Sequence, residues 1–412
     1  MSDNLSFDDI YNETLNSYVE PNDTMNIVSN IMSDIEEATS SSNNKSRKKR
    51  CYIERGCEEG HARIWNDYFS NDPIYTNNQF RRRFMMRKEL FLRIVNALEN
   101  HDSYFENDVD GIGRNKISSI QKWTAAIHMI AYGITGDAVD DYVRIAGNTA
   151  IQCLKKFNDC VIDVFGGQYL RKPTRDDIER LLQVGENHFP GMLGSIDCMH
   201  WRWEKCPTAW QGMFTSVHQG KPTRILEVVA SYDLWIWHAY FGIASSNNDI
   251  NVLDRSPIFD EFLEGRGPNV QFTVNGSQYN MRYYLGDGIY PEWPVFVKTI
   301  PRAHMLSEKR QLFAKHQESA RKDVERAFGV LKKRFAIVAN PSRFWNRSEV
   351  GDIIKTCIIL HNMIIEDERD ENDLSSDFQY DVAQNQEKEP EIINGILPSY
   401  YSHREQYFEN HH

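Results

Sequence analysis

The chain has 412 residues, 41% of them hydrophobic, long enough for two or three domains but lean for a single compact body. No run approaches twenty apolar residues and no apolar segment follows the N-terminus, so neither a membrane span nor a secretory signal is expected; seven scattered cysteines suit reduced thiols rather than a disulfide scaffold. The net charge of −12 speaks against nucleic acid until its distribution is read: residues 1–44 carry −9 and residues 366–412 carry −10, leaving +7 on residues 45–365.

Residues 1–61 read as a mostly disordered acidic stretch, rich in Asn, Ser and Asp, with the basic cluster "KSRKKR" at 45–50. That cluster fits either a nuclear import signal or a non-specific phosphate contact. Residues 62–185 read as helical. In "NNQFRRRFMMRKELFLRIVNALE" (77–99) Phe80, Phe84, Leu90, Phe91, Ile94, Val95 and Leu98 recur at mostly three- and four-residue spacings, the period of a buried helix face. Residues 117–166 divide into three helices, with breaks near Gly133–Gly136 and Ala146–Asn148. A short helix, a turn containing Gly147 and a helix beginning near Asn148 suggest a helix-turn-helix, although a plain helical bundle with a glycine turn gives the same pattern. As a DNA reader this segment would offer Arg144, Thr149, Gln152, Lys155 and Lys156, with Ile151, Leu154 and Val161 turned inward.

After Gly191 the pattern changes to strands: "MLGSID", "RILEVVASYD" and "IWHAYFGIAS" are short runs rich in Val, Ile, Trp and Tyr. A helix is expected over "NDINVLDRSPIFDEFLEG", capped by Asn248 or Asp249. "QFTVNGSQYNMRYYLGD" holds an Asn-Gly turn between strand-like runs, "VFVKTI" is a further strand, and long helices cover about 305–335 and 348–367. This order predicts an α/β domain over 186–368, followed by an acidic tail at 369–412.

Two of the expected strands stop at an aspartate, Asp197 after "LGSI" and Asp287 after "YYLG". Strand ends of open α/β sheets are where ligands bind, but either residue alone also serves as a turn cap. Gly286 and Gly288 around Asp287 leave the backbone open to a metal or phosphate. A hard ion such as Mg²⁺ takes oxygen ligands, and the helix "HQESARKDVERAFGVLKKRF" (316–335) offers Glu318, Asp323 and Glu325 as a third acid. Its buried stripe is Val324, Ala327, Phe328, Leu331 and Phe335, which Glu325 borders; Asp323 points more nearly away, and Glu318 lies two turns earlier on the side of Glu325. Arg321, Arg326, Lys332, Lys333 and Arg334 make this helix basic, as a neighbouring phosphate backbone requires.

Other combinations carry less. Cys51, Cys57 and His61, and likewise Cys198, His200 and Cys206, have no zinc spacing, and no nucleophile elbow is present. His200 reads as support for the acidic site or as packing. Trp201, Trp203 and Trp210 read as core or as a stacking surface for unpaired bases.

"GSIDCMHWRWEKCPTAWQGMF", "YLGDGIYPEWP" and "ESARKDVERAFGVLKKRF" together resemble the three catalytic blocks of PIF/Harbinger-type DDE transposases, most of all the plant Pong-like group and its domesticated relatives. "GIASSNNDINVLDRSPIF", "CIILHNMIIEDE" and "WNDYFSNDPIYTNNQFRRRFMMRKELFLRIV" resemble further blocks, so the likeness covers roughly 65–368. The resemblance implies an RNase H-like catalytic domain, a mixed sheet flanked by helices, preceded by an all-helical region with a helix-turn-helix-like segment. It implies a catalytic, metal-binding triad at Asp197, Asp287 and Glu325, the last two thirty-eight residues apart, with Asp249 and His200 as auxiliary candidates. It further implies two Mg²⁺ (or Mn²⁺) ions serving phosphodiester hydrolysis and strand transfer. The implied partners are DNA, as transposon terminal repeats and target site, a Myb/SANT-like DNA-binding protein and a second copy of the chain. Membranes are not among them, and the implied location is the nucleus, with shuttling to the cytoplasm. Two other classes compete: a domesticated, non-catalytic chromatin platform that keeps the fold, and a simple DNA-binding module, which the large α/β half disfavours.

Overall fold

The structure, a computed structural model, describes residues 53–105, 117–185, 189–215, 220–245, 247, 249–259, 271–274, 276–304 and 306–372. The acidic segment 1–44, the basic cluster 45–50, Cys51, Asn248, residues 260–270 and the tail beyond 372 lie outside the described residues.

Cys57–Ile64 (α1) runs through a π-turn at Trp65–Phe69 towards Asn77–Phe84 (α2) and Lys88–Glu99 (α3). Thr76 and Gln79 form a capping box that starts α2. The pattern over 77–99 is therefore two helices: Met85 takes a left-handed conformation at φ 60 with no glycine to announce it. The break folds both halves onto one aromatic cluster, in which Phe80 and Phe84 stack at 4.2 Å and Phe91 meets Phe84 at 5.1 Å.

Ser119–Tyr132 (α4), Gly136–Val143 (α5) and Gly147–Tyr169 (α6) break where the glycines set them, and Arg175–Gly185 (α7) completes the helical part. A Cβ on Gly136 would stand 2.4 Å from the Gly147 carbonyl oxygen, and one on Gly147 would stand 2.2 Å from an Asp137 carboxylate oxygen. Glycine at both positions is what lets α5 and α6 meet so closely.

Met192–Arg202 (β1), Thr223–Ala230 (β2) and Ile236–Ala244 (β3) form an antiparallel ribbon, with Thr208–Phe214 (α8) between the first two and Asp249–Leu253 (α9) after the third. Phe272–Val274 (β4) and Ser277–Tyr279 (β5) make a separate hairpin with Gly276 at φ 86 in its turn. Tyr283–Leu285 (β6) and Phe296–Val297 (β7) then join β1 in parallel, giving the mixed order β3-β2-β1-β6-β7. Every residue of β2 is buried, as in a sheet covered on both faces.

Three helices close the described chain: Glu308–Arg334 (α10), Ala336–Ala339 (α11) and Arg347–Asn372 (α12). The described part from Arg55 on is one compact unit, with a continuous apolar core from Ile64 to Ile365 shared by the helical region and the sheet. No helix among the described residues is long and apolar enough to cross a membrane.

α12 is buried on nearly all sides: Ile354, Cys357, Ile358, Ile359 and Leu360 have no exposure, and neither have its polar neighbours His361 and Asn362. Asn362 accepts from the Ile236 N–H (2.9 Å) and donates to the carbonyls of Ile236 and Tyr169 (2.7 Å each). Burial, with the Arg334 charge beside it, pushes His361 down to about 3, so the ring is neutral. Its Nε2–H therefore donates to the Leu234 carbonyl (2.9 Å) while Nδ1 accepts from Arg334 (3.2 Å). Asn362→Leu leaves three buried backbone groups without partners and is expected to cost about 2–5 kcal/mol. A chemical denaturation midpoint unchanged from wild type would refute this role.

Candidate active site

β1 does not end at Asp197, as the apolar run suggested; it continues five residues further, to Arg202. The misleading stretch alternates, with Met199, Trp201 and Trp203 buried and His200 and Arg202 between them less so. That is a half-buried strand. The rim arises instead from the neighbour: β6 pairs with β1 only as far as Ser195↔Leu285. Asp197 and Asp287 each lie two residues beyond that pair, so the parallel register sets the two aspartates side by side where β1 loses its partner on that edge.

α10 supplies the third wall. Ser195, two residues before Asp197 and on the same face of β1, donates its hydroxyl to the Ala320 carbonyl of α10 (3.2 Å). Gln317, fully buried, donates to the carbonyls of Gly286 (3.1 Å) and Val297 (3.0 Å), tying the helix to the ends of β6 and β7. One turn later Arg321 reaches Asp197 (Nη1–Oδ2, 3.7 Å), and its Nη2 pairs with Glu325 Oε1 (2.9 Å) a further turn along.

Of the three candidate acids on α10, Glu325 is thus brought to Asp197 through a shared arginine. Glu318 is exposed beside Thr299, and Asp323 is buried and paired with Arg326. Gln317 was not singled out in the sequence, although a glutamine on an apolar stripe between Phe313 and Val324 was the available signal. The two glycines around Asp287 differ: a Cβ on Gly288 would meet nothing within 4 Å, whereas one on Gly286 would press on the Tyr290 ring at 3.0 Å. Gly286 thus makes room for the Tyr290 ring.

The electrostatics of this corner are strained. Burial pushes the Asp197 carboxyl up to about 6; the Cys198 N–H (2.8 Å to Oδ1) and Arg321 hold it down, while Glu325 and Asp287 raise it further. Asp249, the first residue of α9, is also raised, by burial and then by Asp287. The Asp287 charge thus acts on both Asp197 and Asp249. His200 does not face Asp197: strand alternation puts it on the opposite face with Cys198, where it meets Thr223 (3.2 Å) and is lowered by burial. Glu227, absent from the sequence reading, lies opposite Cys198 on β2, wholly buried. Neither of its carboxylate oxygens has a hydrogen-bond partner, and His238 Nε2 approaches Oε1 to 3.3 Å.

The donor set is all carboxylate oxygen, which suits a hard divalent ion. Among the described residues no three His, Cys, Asp or Glu are grouped closely enough to hold one. The Arg321 guanidinium stands as the cation between two of the acids instead, so the corner does attract positive charge.

The basic residues divide. Lys333 and Arg326 are on the surface of α10 and Lys332 is half-buried, but Arg334 is buried against Glu368 and His361. It cannot meet a phosphate, and the expectation that it does is corrected. On α6, Gln152 is exposed, Thr149 is half-buried, Lys155 pairs with Glu349 and Lys156 with Asp102; Arg144 is half-buried and ends α5 at φ 61. Trp201 and Trp203 are core residues whose indole N–H groups donate to the Asn340 and Phe344 carbonyls; Trp210 is 37% exposed.

This geometry lies within a stretch that comparison identifies. The model of a family described as plant transposon protein matches residues 167–372, half of the chain, from the end of α6 to the end of α12. The chain belongs to the plant transposon protein family. A second model, a domain of unknown function, matches residues 60–99 around the aromatic cluster. No curated protein and no solved structure gives a match. In this member of the family all three acids of the expected triad lie within the matched stretch.

The raised Asp197 carboxyl makes a prediction with a definite sign. Its ionised form costs folding stability at neutral pH, and the cost fades as pH falls through about 6 towards the ordinary carboxyl value, because the folded protein takes up the proton first. Asp197→Asn, which keeps an acceptor for the Cys198 N–H, should be the more stable protein by about 2 kcal/mol at neutral pH and gain nothing near pH 4. Denaturation midpoints of both proteins at the two pH values check this; an equal gap at both would refute it.

Proposed function

We propose that this protein is a metal-dependent DNA endonuclease and transposase of the PIF/Harbinger type, with an RNase H-like catalytic domain. One observation carries the reading: Asp197 and Asp287 each lie two residues beyond the last β1–β6 pair, and Arg321 joins Asp197 to Glu325, inside a stretch matched by the plant transposon protein family. The antiparallel ribbon extended by two parallel strands supports the RNase H-like assignment.

Asp197, Asp287 and Glu325 would hold the divalent ions, Mg²⁺ or Mn²⁺, with Asp249 next in line beside Asp287. When bound, such ions activate an attacking water and stabilise the leaving 3′ oxygen of a phosphodiester. The chain's own part is to fix the carboxylates: the sheet register sets two, and Gln317 sets the helix that carries the third. Carboxylates neutralise charge without reading bases, so sequence choice falls to other elements. We assign that role to the α5–α6 segment together with a Myb/SANT-like partner, acting on terminal repeats and target DNA in the nucleus as a homo-oligomer. Lys155 and Lys156 are themselves exposed and can exchange their half-buried carboxylate partners for phosphates, since ion pairs at the surface are worth little.

The test is cleavage of element-end DNA with Mg²⁺ and the partner protein present. Asp197→Ala, Asp287→Ala and Glu325→Ala should each lose at least about a hundredfold in rate, the upper end of what even outer-shell changes at metal sites produce. Equal cutting by all four proteins would overturn the triad. Cutting by none, with stable binding to chromatin proteins, would instead favour a domesticated platform.

A further inference from the structure

Arg321 is held by the residues that a metal would need. Its side chain is 19% exposed, and it lies 3.7 Å from Asp197 and 2.9 Å from Glu325. Its neighbours on α10 are turned elsewhere: Lys322 is exposed, and Arg326 pairs with Asp323. Removing a cation from two crowded carboxylates without replacing it leaves uncompensated charge, which is costly in a partly buried corner. A divalent ion arriving alone must also approach a guanidinium of like charge. A phosphate changes that balance, because it accepts the arginine fork in a bidentate pair as well as a carboxylate does.

We propose that Arg321 is a charge latch: it holds Asp197 and Glu325 in the free protein and transfers to a phosphate of bound DNA, so that the carboxylates accept divalent ions together with DNA rather than before it. The latch rests on the metal-dependent nuclease reading above. The exchange keeps each group paired, arginine passing from carboxylate to phosphate and the metal taking its place. It also imposes reciprocity, since if DNA tightens metal binding by some factor, the metal must tighten DNA binding by the same factor. Arg321 is therefore a positioning residue that acts through the acids.

The full chain is titrated with Mn²⁺, followed by the electron spin resonance of the free ion, with and without a short random-sequence duplex. Asp287→Asn measures what the duplex binds by itself. Wild type should bind Mn²⁺ weakly alone and on the order of tenfold more tightly with duplex, within the usual range of coupling between sites. Arg321→Met, which keeps the aliphatic stem, should bind Mn²⁺ tightly without duplex and show little further gain; Arg321→Lys, a cation without the fork, should fall between. Anisotropy of a labelled duplex at constant ionic strength should show the reciprocal Mn²⁺ dependence in wild type and lose it in Arg321→Met. Equal Mn²⁺ affinity of free wild type and Arg321→Met, or coupling that survives in Arg321→Met, would overturn the latch and leave the nuclease reading standing. No Mn²⁺ binding above the Asp287→Asn level in any protein, with or without duplex, would overturn both.

Discussion

Asn362 does the work of a missing strand. β3 is an edge of the sheet, and Asn362 satisfies both backbone groups of Ile236 from a helix while also holding the Tyr169 carbonyl at the end of α6. Such a buried amide is useful because every polar atom it engages would otherwise be unpaired away from water. The next residue back, His361, joins the turn before β3 to Arg334 at the end of α10. Two adjacent side chains thus bind four elements together. The acids depend on this arrangement, because β1 is fixed through β2 to β3, and α10 lies across β1. A helical region and a sheet that share one core through α12 position the site as a single body.

Charge is less available than the sequence suggests. Arg81 pairs with Glu368, Arg87 with Asp367, and Arg334 with Glu368, while Asp233 takes both Arg180 and Arg369. Glu366, Asp367 and Glu368 belong by composition to the acidic end but by structure to α12. Counting them with the body lowers its excess from +7 to +4. What remains for a nucleic acid is a smaller field, to which the cations on the exposed side of α10, such as Lys322, contribute.

Local pattern made much of this architecture legible. Glycine breaks marked α4, α5 and α6, the Asn-Gly pair marked the β4–β5 hairpin, and runs rich in β-branched and aromatic residues marked β2 and β3. What stayed hidden depended on distant partners. Arg321 and Arg334 look alike in the sequence, yet one meets the acids and the other is buried against Glu368 and His361. Nothing near Met85 announces its left-handed turn, since the break is imposed by aromatic packing on both sides. Asp197 looked like a strand end because a carboxylate interrupted an apolar run. Its real position depends on where β6 stops, at Leu285, far away in the chain.

Gln317, Arg321 and Glu325 occupy one line along α10, each a turn apart, roughly 6 Å per step. Length changes in the chain therefore have very different consequences on either side of Ser307, the cap of this helix. Residues inserted between Asp287 and the cap can be absorbed as loop, altering the count between the second and third acids without moving either. One residue inserted between Gln317 and Glu325 would rotate the rest of the line by about 100° and carry the glutamate off the corner. Across relatives the separation of those two acids should be free to drift, while the phase of glutamine, arginine and glutamate along the helix should stay locked.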